Sequence, residues 1–394
     1  MKLGNSLNRK VNMKYIFRII VSSICCFFLV SCSHKETSPK EVIEIATFGA
    51  KPLLFEDLYE SVDILLLEDN DKFPLLYVTK ILCWEKFYYL LNDTGQGEQV
   101  IVYNLEGKFI MALSKKGKGP EEYSKIEDID INPKSGELLV VDAIAKKLLV
   151  FNQGLNFEKS HTFEKIANPR LAAFCPWNSD EFIVASKTNV ISSNQDYKIY
   201  IQDFTESTHK GYLPYENPQI GGSGGQFQLQ KLNSTVSFLP RFSDYIYQIS
   251  EDTCMQSYYL KFDRPTMPEG VRDVPFEYPD CIFNQKFFES ENHLVIQFIY
   301  NELIYEAHFC KSQKTLKTAI TLFKDSTRDG RVALFPIGFA SERLVYFCNS
   351  TEIMNLIGST DPNSRCISNP EILDRIKISE GTGILLFAKY RHCD

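Results

Sequence analysis

The chain has no HExxH, H-x-H or CxxC spacing and no Gly-Lys-Ser/Thr, so the common local signatures for zinc, dithiol redox and nucleotide phosphates are missing. Its 6 histidines (His34, His161, His209, His293, His308 and His392) are scattered, and no metal or cofactor is assigned. Sialidase-type S-x-D-x-G repeats do not occur. Positive charge is also short: 43 Lys+Arg against 50 Asp+Glu leave a net charge of −7. Nucleic acid needs a basic footprint, so it is excluded as a partner. Long 3.6-residue periodicity is scarce, with the best helical candidate a turn or two around Leu53 to Tyr59. Trp numbers only 2, but 29 Phe and 20 Tyr lean the composition toward strands.

What is present begins at the N-terminus. Lys14 and Arg18 precede a short apolar run, Ile19 to Val30, that ends in Leu29-Val30-Ser31-Cys32. A basic flank, a short apolar core and small residues at the cleavage point form a secretory signal. The run is shorter than the ~20 apolar residues of a membrane-spanning helix. LVSC resembles a bacterial lipobox, which implies cleavage after residue 31 and lipidation of Cys32. Residues 1–31 are therefore expected to be a signal peptide and 32–42 a lipidated polar tether. Met13 opens a second, more conventional start. Eight cysteines follow Cys32, several inside apolar runs, and are expected mainly as buried thiols; an exported chain also permits a disulfide.

From residue 43 to 394, short apolar or alternating runs recur between Gly, Asn, Asp and Pro clusters, which reads as many strands. The segments LLNDTGQGEQVIVYNLEGKFI (90–110) and LVVDAIAKKLLVFNQGLNFEK (139–159) are repeats of one another. Asp93 matches Asp142, Tyr103 matches Phe151 and Asn104 matches Asn152. A period near ~48 residues with four strands per unit belongs to propeller blades. One four-stranded sheet buries only part of its faces, so blades stack around an axis. The fold class is thus all-β, a propeller of four-stranded antiparallel blades; the length allows six or seven, and insertions such as Pro265–Pro279 bring the number toward six.

Within the repeat, GKGPEEY (117–123) falls between the last strand of one unit and the first strand of the next. It reads as a blade junction, with Gly117 and Gly119 supplying backbone freedom and Pro120 the exit direction. Antiparallel alternation brings the junction loop and the turn between strands two and three to the same face. Lys118, Glu121, Glu122, Tyr123, Asp142 and Asp244 are accordingly the candidate ligand face. Asp at such turns is first a structural choice, since its carboxylate accepts local backbone N–H groups. Glu121 and Glu122 point in opposite directions on an extended segment, whereas glycoside hydrolysis needs carboxylates facing each other, so no catalytic residue is assigned. Gly221-Gly222-Ser223-Gly224-Gly225 matches G-x-S-x-G formally, but lacks the strand before it and the helix after it, and reads as a loop.

The stretch KKGKGPEEYSKIEDIDINPKSGELLVVDAIAKKLLVFN (115–152) closely resembles the signature region of six-bladed β-propeller lipoproteins of Gram-negative gut bacteria, and more distantly NHL repeats. FLPRFSDYIYQISEDTCMQSYYLKFD (238–263) and SNPEILDRIKI (368–378) fit the same family. The resemblance implies a six-bladed propeller behind a lipid anchor and no established activity. The expected function is a lipid-anchored, non-catalytic binding or scaffold module for a glycan, peptide or envelope protein. The alternative is an exported hydrolase or lyase with its site in the central funnel. The expected location is the cell envelope, as an outer-membrane lipoprotein facing the periplasm or the surface. The final NPEILDRIKI and the early EVIEIATF segment are expected to share closure of the ring.

Overall fold

The central strands of each repeat are apolar on both faces, as in Leu138–Asp142, where every residue is buried. A sheet alternates when one face meets water; an unbroken buried run requires a neighbour on each side. A computed structural model supplies those neighbours. It describes residues 38–52, 55–163, 166, 169–186, 197–205, 209–214, 228–240, 243–267, 278–322, 334–359, 367–368, 371–378 and 382–391. The signal segment, Cys32 and the glycine-rich stretch at 221–225 lie outside this set.

Three N-terminal strands come first: β1 (Glu41–Ile45), β2 (Lys51–Pro52) and β3 (Tyr59–Leu66). Six antiparallel blades follow. Blade one holds β4 (Tyr77–Trp84), β5 (Phe87–Asp93), β6 (Glu98–Asn104) and β7 (Phe109–Leu113). Blade two holds β8 (Ile126–Ile131), β9 (Leu138–Asp142), β10 (Lys147–Phe151) and β11 (Phe157–Thr162). Blade three is β12 (Pro169–Phe174), β13 (Glu181–Ser186), β14 (Tyr197–Asp203) and β15 (His209–Pro214). Blade four is β16 (Gln228–Leu232), β17 (Thr235–Leu239), β18 (Tyr245–Ile249) and β19 (Cys254–Phe262). Blade five is β20 (Phe283–Glu289), β21 (His293–Tyr300), β22 (Leu303–Cys310) and β23 (Thr315–Leu322). Blade six has β24 (Phe335–Ala340), β25 (Arg343–Asn349) and β26 (Gly383–Tyr390), and borrows β3 as its outer strand. The fold is a six-bladed β-propeller.

Six buried apolar clusters lie in the wedges between neighbouring blades. Tyr89 and Val100 of blade one meet Ile129 and Val140 of blade two, for example, and Ile81 of blade one meets Val345 and Leu385 of blade six. Each buried side chain of this size contributes roughly 1.5–3 kcal/mol. Gly136, with φ +72 in the turn from β8 to β9, lets that turn approach Trp84 of blade one; a Cβ there would lie 2.4 Å from the indole ring.

The ring closes differently from the expectation. Closure is made by β3, antiparallel to β26 from Leu66↔Ile384 to Tyr59↔Tyr390. The EVIEI strand β1 instead pairs in parallel with β19, and β2 in parallel with β23, so they cover the outer edges of blades four and five. ILDRIKI forms a helix, Ile372–Ile378, because Ile372 and Ile376, at i and i+4, share the face that packs on blade six. Among the described residues five cysteines are free thiols, of which only Cys175 and Cys348 are buried as expected, Cys83 being exposed and Cys254 and Cys281 half-buried, and Cys310 is disulfide-bonded.

Candidate functional site

The first strand of each blade faces the axis, and together β4, β8, β12, β16, β20 and β24 line a channel of about 1090 Å³. Its lining reaches from Asp93 and Glu98, at the β5–β6 turn, to Asn233 and Ser341, at turns on the opposite face. Because each first strand starts at the junction face, residues at those starts ring one mouth. Tyr77 at the start of β4 and Phe335 at the start of β24 are 69% and 40% exposed, each two residues before the first residue of its strand that lines the channel, Thr79 and Ile337.

Charges inside the channel are mostly paired, and the pairs lace blades together. The Lys80 ammonium donates to Asp128 Oδ1 at 2.7 Å and to the Ile129 carbonyl at 2.8 Å, tying blade one to blade two. Lys231 of blade four donates to Asp130 Oδ2 at 2.7 Å and to the Ile131 carbonyl, while the Phe174 amide of blade three donates to the same Asp130 oxygen. Arg170 donates to Glu127 at 2.9 Å, and Lys125 lies 3.3 Å from that carboxylate. Gln230 exchanges two hydrogen bonds with the Glu289 backbone, joining blades four and five. Burial raises the Asp128 carboxyl above its usual range, outweighing the attraction of Lys80 that opposes it. Among the described residues no group of three or more His, Cys, Asp or Glu could hold a metal ion.

The sequence-derived candidates divide into exposed groups and groups that build the loop. Lys118 and Glu121 are exposed, with Lys115 3.6 Å from Glu121. Glu122, half-buried, caps the junction turn: its Oε2 accepts the Gly119 amide at 2.8 Å, folding the carboxylate over both glycines. Neither Gly117 nor Gly119 has a left-handed φ; a Cβ on Gly117 would lie 1.9 Å from Glu122 Oε2, so that carboxylate would have to swing off the turn. Tyr123 is fully buried and its hydroxyl donates to the Glu98 carbonyl at 2.9 Å. Asp142 is also fully buried and accepts the Ser124, Ile144 and Ala145 amides, binding the junction to the β9–β10 turn. Ile144 on that turn is 68% exposed. Asp244 sits in the equivalent turn of blade four, partly buried, and burial raises its carboxyl. The loops thus assemble one face, and the channel mouth opens within it.

Residues 40–382 match the family described as "Domain of unknown function (DUF4934)". The chain belongs to the DUF4934 family. Two solved structures share its fold. One is a protein of Bacteroides fragilis NCTC 9343 inferred to be exported: 16% identity, TM-score 0.73, covering 89% of this chain and 100% of that one. The other is a DUF4221 family member from Bacteroides vulgatus: 10% identity, TM-score 0.55, covering 85% and 98%. No curated protein matches the chain.

The most strongly perturbed groups of this DUF4934 propeller lie away from the channel, in the wedge between blades five and six. The Tyr59 and Tyr346 hydroxyls are 2.7 Å apart, and Tyr346 donates to Glu306 Oε2 at 3.4 Å. Glu306 also accepts from Gln297 at 3.1 Å and lies 3.1 Å from His308 Nε2, whose Nδ1 is 2.8 Å from the Tyr390 hydroxyl. Burial pushes the phenols of Tyr59, Tyr346 and Tyr390 well above their ordinary range. His293 stacks on Tyr390 with centroids 3.9 Å apart, and burial holds its imidazole down at about 4. None of these side chains lines the channel, so this cluster joins blades rather than facing a substrate. The axis-facing residues Lys80, Lys231 and Lys286 were missed from sequence, yet Lys80 and Asp128 are 48 apart, one repeat length, so the repeat itself marks the axial position.

Replacing Lys80 by Met leaves the Asp128 carboxylate buried without its ion pair, which should lower stability by about 1–3 kcal/mol in denaturant titrations. Adding Asp128→Asn should recover part of that loss. Additive losses in the double variant would show that the two side chains are not coupled.

Proposed function

We propose that this protein is a lipid-anchored, exported propeller that binds an extended ligand at the mouth of its central channel without transforming it. The observation that carries the reading is the mouth itself: Tyr77 and Phe335 stand exposed at the starts of two adjacent inner strands, above a channel of about 1090 Å³. Exposed apolar side chains rimmed by polar groups are a mark of binding surfaces, and an aromatic face with a polar tip suits a sugar ring or a peptide. Lys118, Glu121 and Ile144 extend this surface over the junction loops. The channel carboxylates Asp128 and Asp130 are each held by a lysine, an arrangement that favours structure over acid–base work.

Export is supported by two observations besides the signal-like N-terminus. Cys310 is disulfide-bonded, a state that persists in oxidising compartments. The Bacteroides fragilis protein with the same fold is itself described as exported. LVSC before residue 33 supports lipidation of Cys32 and attachment to the cell envelope.

Cells fed an alkyne-bearing fatty acid should label the wild-type protein and not Cys32→Ala; equal labelling would remove the anchor from the account. A glycan and peptide array probed with the soluble domain should give hits that Tyr77→Ala weakens about tenfold or more, a change of ~1.4 kcal/mol, with the melting temperature unchanged. Hits indifferent to both Tyr77→Ala and Phe335→Ala would displace binding from the mouth. Turnover of a bound glycan or peptide by the purified protein would replace the non-catalytic reading with an enzymatic one.

A further inference from the structure

The four other channel cations, Lys80, Lys125, Arg170 and Lys231, each face a carboxylate. Lys286 is the exception. It lies on β20 and lines the channel, and among the described residues it makes no hydrogen bond or ion pair. It is half-buried, and desolvation in the channel wall with no partner to offset it lowers the pKa of its ammonium. An uncompensated cation facing a cavity costs stability that a well-packed apolar residue would avoid, so its placement points to a counter-charge supplied from outside the chain.

We propose that Lys286 is the anion subsite of the channel and receives a carboxylate carried by the ligand. A single ammonium offers one unit of charge. Among the described residues that line the channel there is no helix N-terminus, and Arg170 is taken by Glu127, so the usual cradle of a phosphate dianion is not formed. The wall beside it on blade six is apolar, from Ile337 to Ala340. Lys286 follows Phe283, at the junction-face end of β20, across a register shift in which the strand advances two partner residues, a depth of about 7 Å at ~3.3 Å per residue. A sugar ring or short chain stacked at Tyr77 and Phe335 would therefore present an acidic group to Lys286, which points to acidic saccharides such as uronates, or to peptide C-termini. This assignment rests on the channel-mouth binding reading and specifies its ligand class.

The test uses the soluble domain with its lysines labelled as ¹³C-dimethyl amines, the Lys286 resonance being identified by its loss in Lys286→Arg. Glucuronate and acetylated dipeptides with free C-termini are titrated in, with glucose and the C-terminal amides as uncharged counterparts. The acidic probes should move the Lys286 resonance saturably and bind about tenfold or more tightly than their neutral counterparts, equivalent to ~1.4 kcal/mol. Lys286→Met should lose that preference while keeping the wild-type melting temperature or exceeding it, and Lys286→Arg should keep part of it. No saturable shift with either acidic probe, or an acid preference unchanged in Lys286→Met, would overturn the subsite. If array hits bind wild type and Lys286→Met equally, the binding reading stands and only the subsite falls. If nothing binds wild type at all, both fall.

Discussion

Pairing of β3 with β26 is the contact on which the rest of the molecule depends. Seven registered pairs, from Leu66↔Ile384 to Tyr59↔Tyr390, join the first part of the chain to the last. Every wedge core needs two blades, so an open ring would leave one cluster, built from blades five and six, without its β3 contribution of Tyr59 and Val62. Bringing such distant segments together costs entropy, but that cost grows only with the logarithm of the loop length. The buried network at the same seam adds direction to the apolar contact. Glu306 and His308 of blade five reach Tyr346 and Tyr390 of blade six, and Tyr59 of β3 joins the network through the Tyr346 hydroxyl.

A closed ring makes the channel a fixed feature. The lysine–carboxylate ties cross between inner strands, and Asp130 alone gathers blades two, three and four. Buried ion pairs of this kind add less to stability than to specificity, because desolvation offsets most of the attraction. Here they tie the inner strands of blades one, three and four to that of blade two. The N-terminal segment contributes again on the outside, where β1 and β2 cover two sheet edges and the Val62–Ile367 bridge covers β3 itself. Open edges are sites of unwanted pairing, so one stretch of chain both shuts the ring and protects two of its rims, while Ile367 meets the edge of β3.

Much of this architecture was legible in the sequence because its signals are local. The 48–49-residue repeat placed four strands of blade two within a residue or two of where they stand, and the junction reading of GKGPEEY holds. Closure was not legible, because β3 and β26 are not similar and pair only through three-dimensional proximity. EVIEIATF looked equally able to close the ring; its alternation fits any half-exposed edge. The junction glycines were read as supplying backbone freedom; neither adopts a left-handed φ, and the Glu122 carboxylate folds over both. The channel was the hardest part to read. Its polar lining comes from scattered residues on separated strands, such as Lys80 in YVTKILCW and Lys286 in FNQKFFE, and no local motif gathers them.

Native-state hydrogen exchange on the intact soluble domain tests the closure most directly. The account predicts that β3 amides bonded to β26 exchange only through global unfolding, with the same opening free energy as the central strands β5, β9 and β25. If β3 instead exchanged orders of magnitude faster while those strands stayed protected, the ring would be holding together without its closing strand, and the account would be wrong at its foundation.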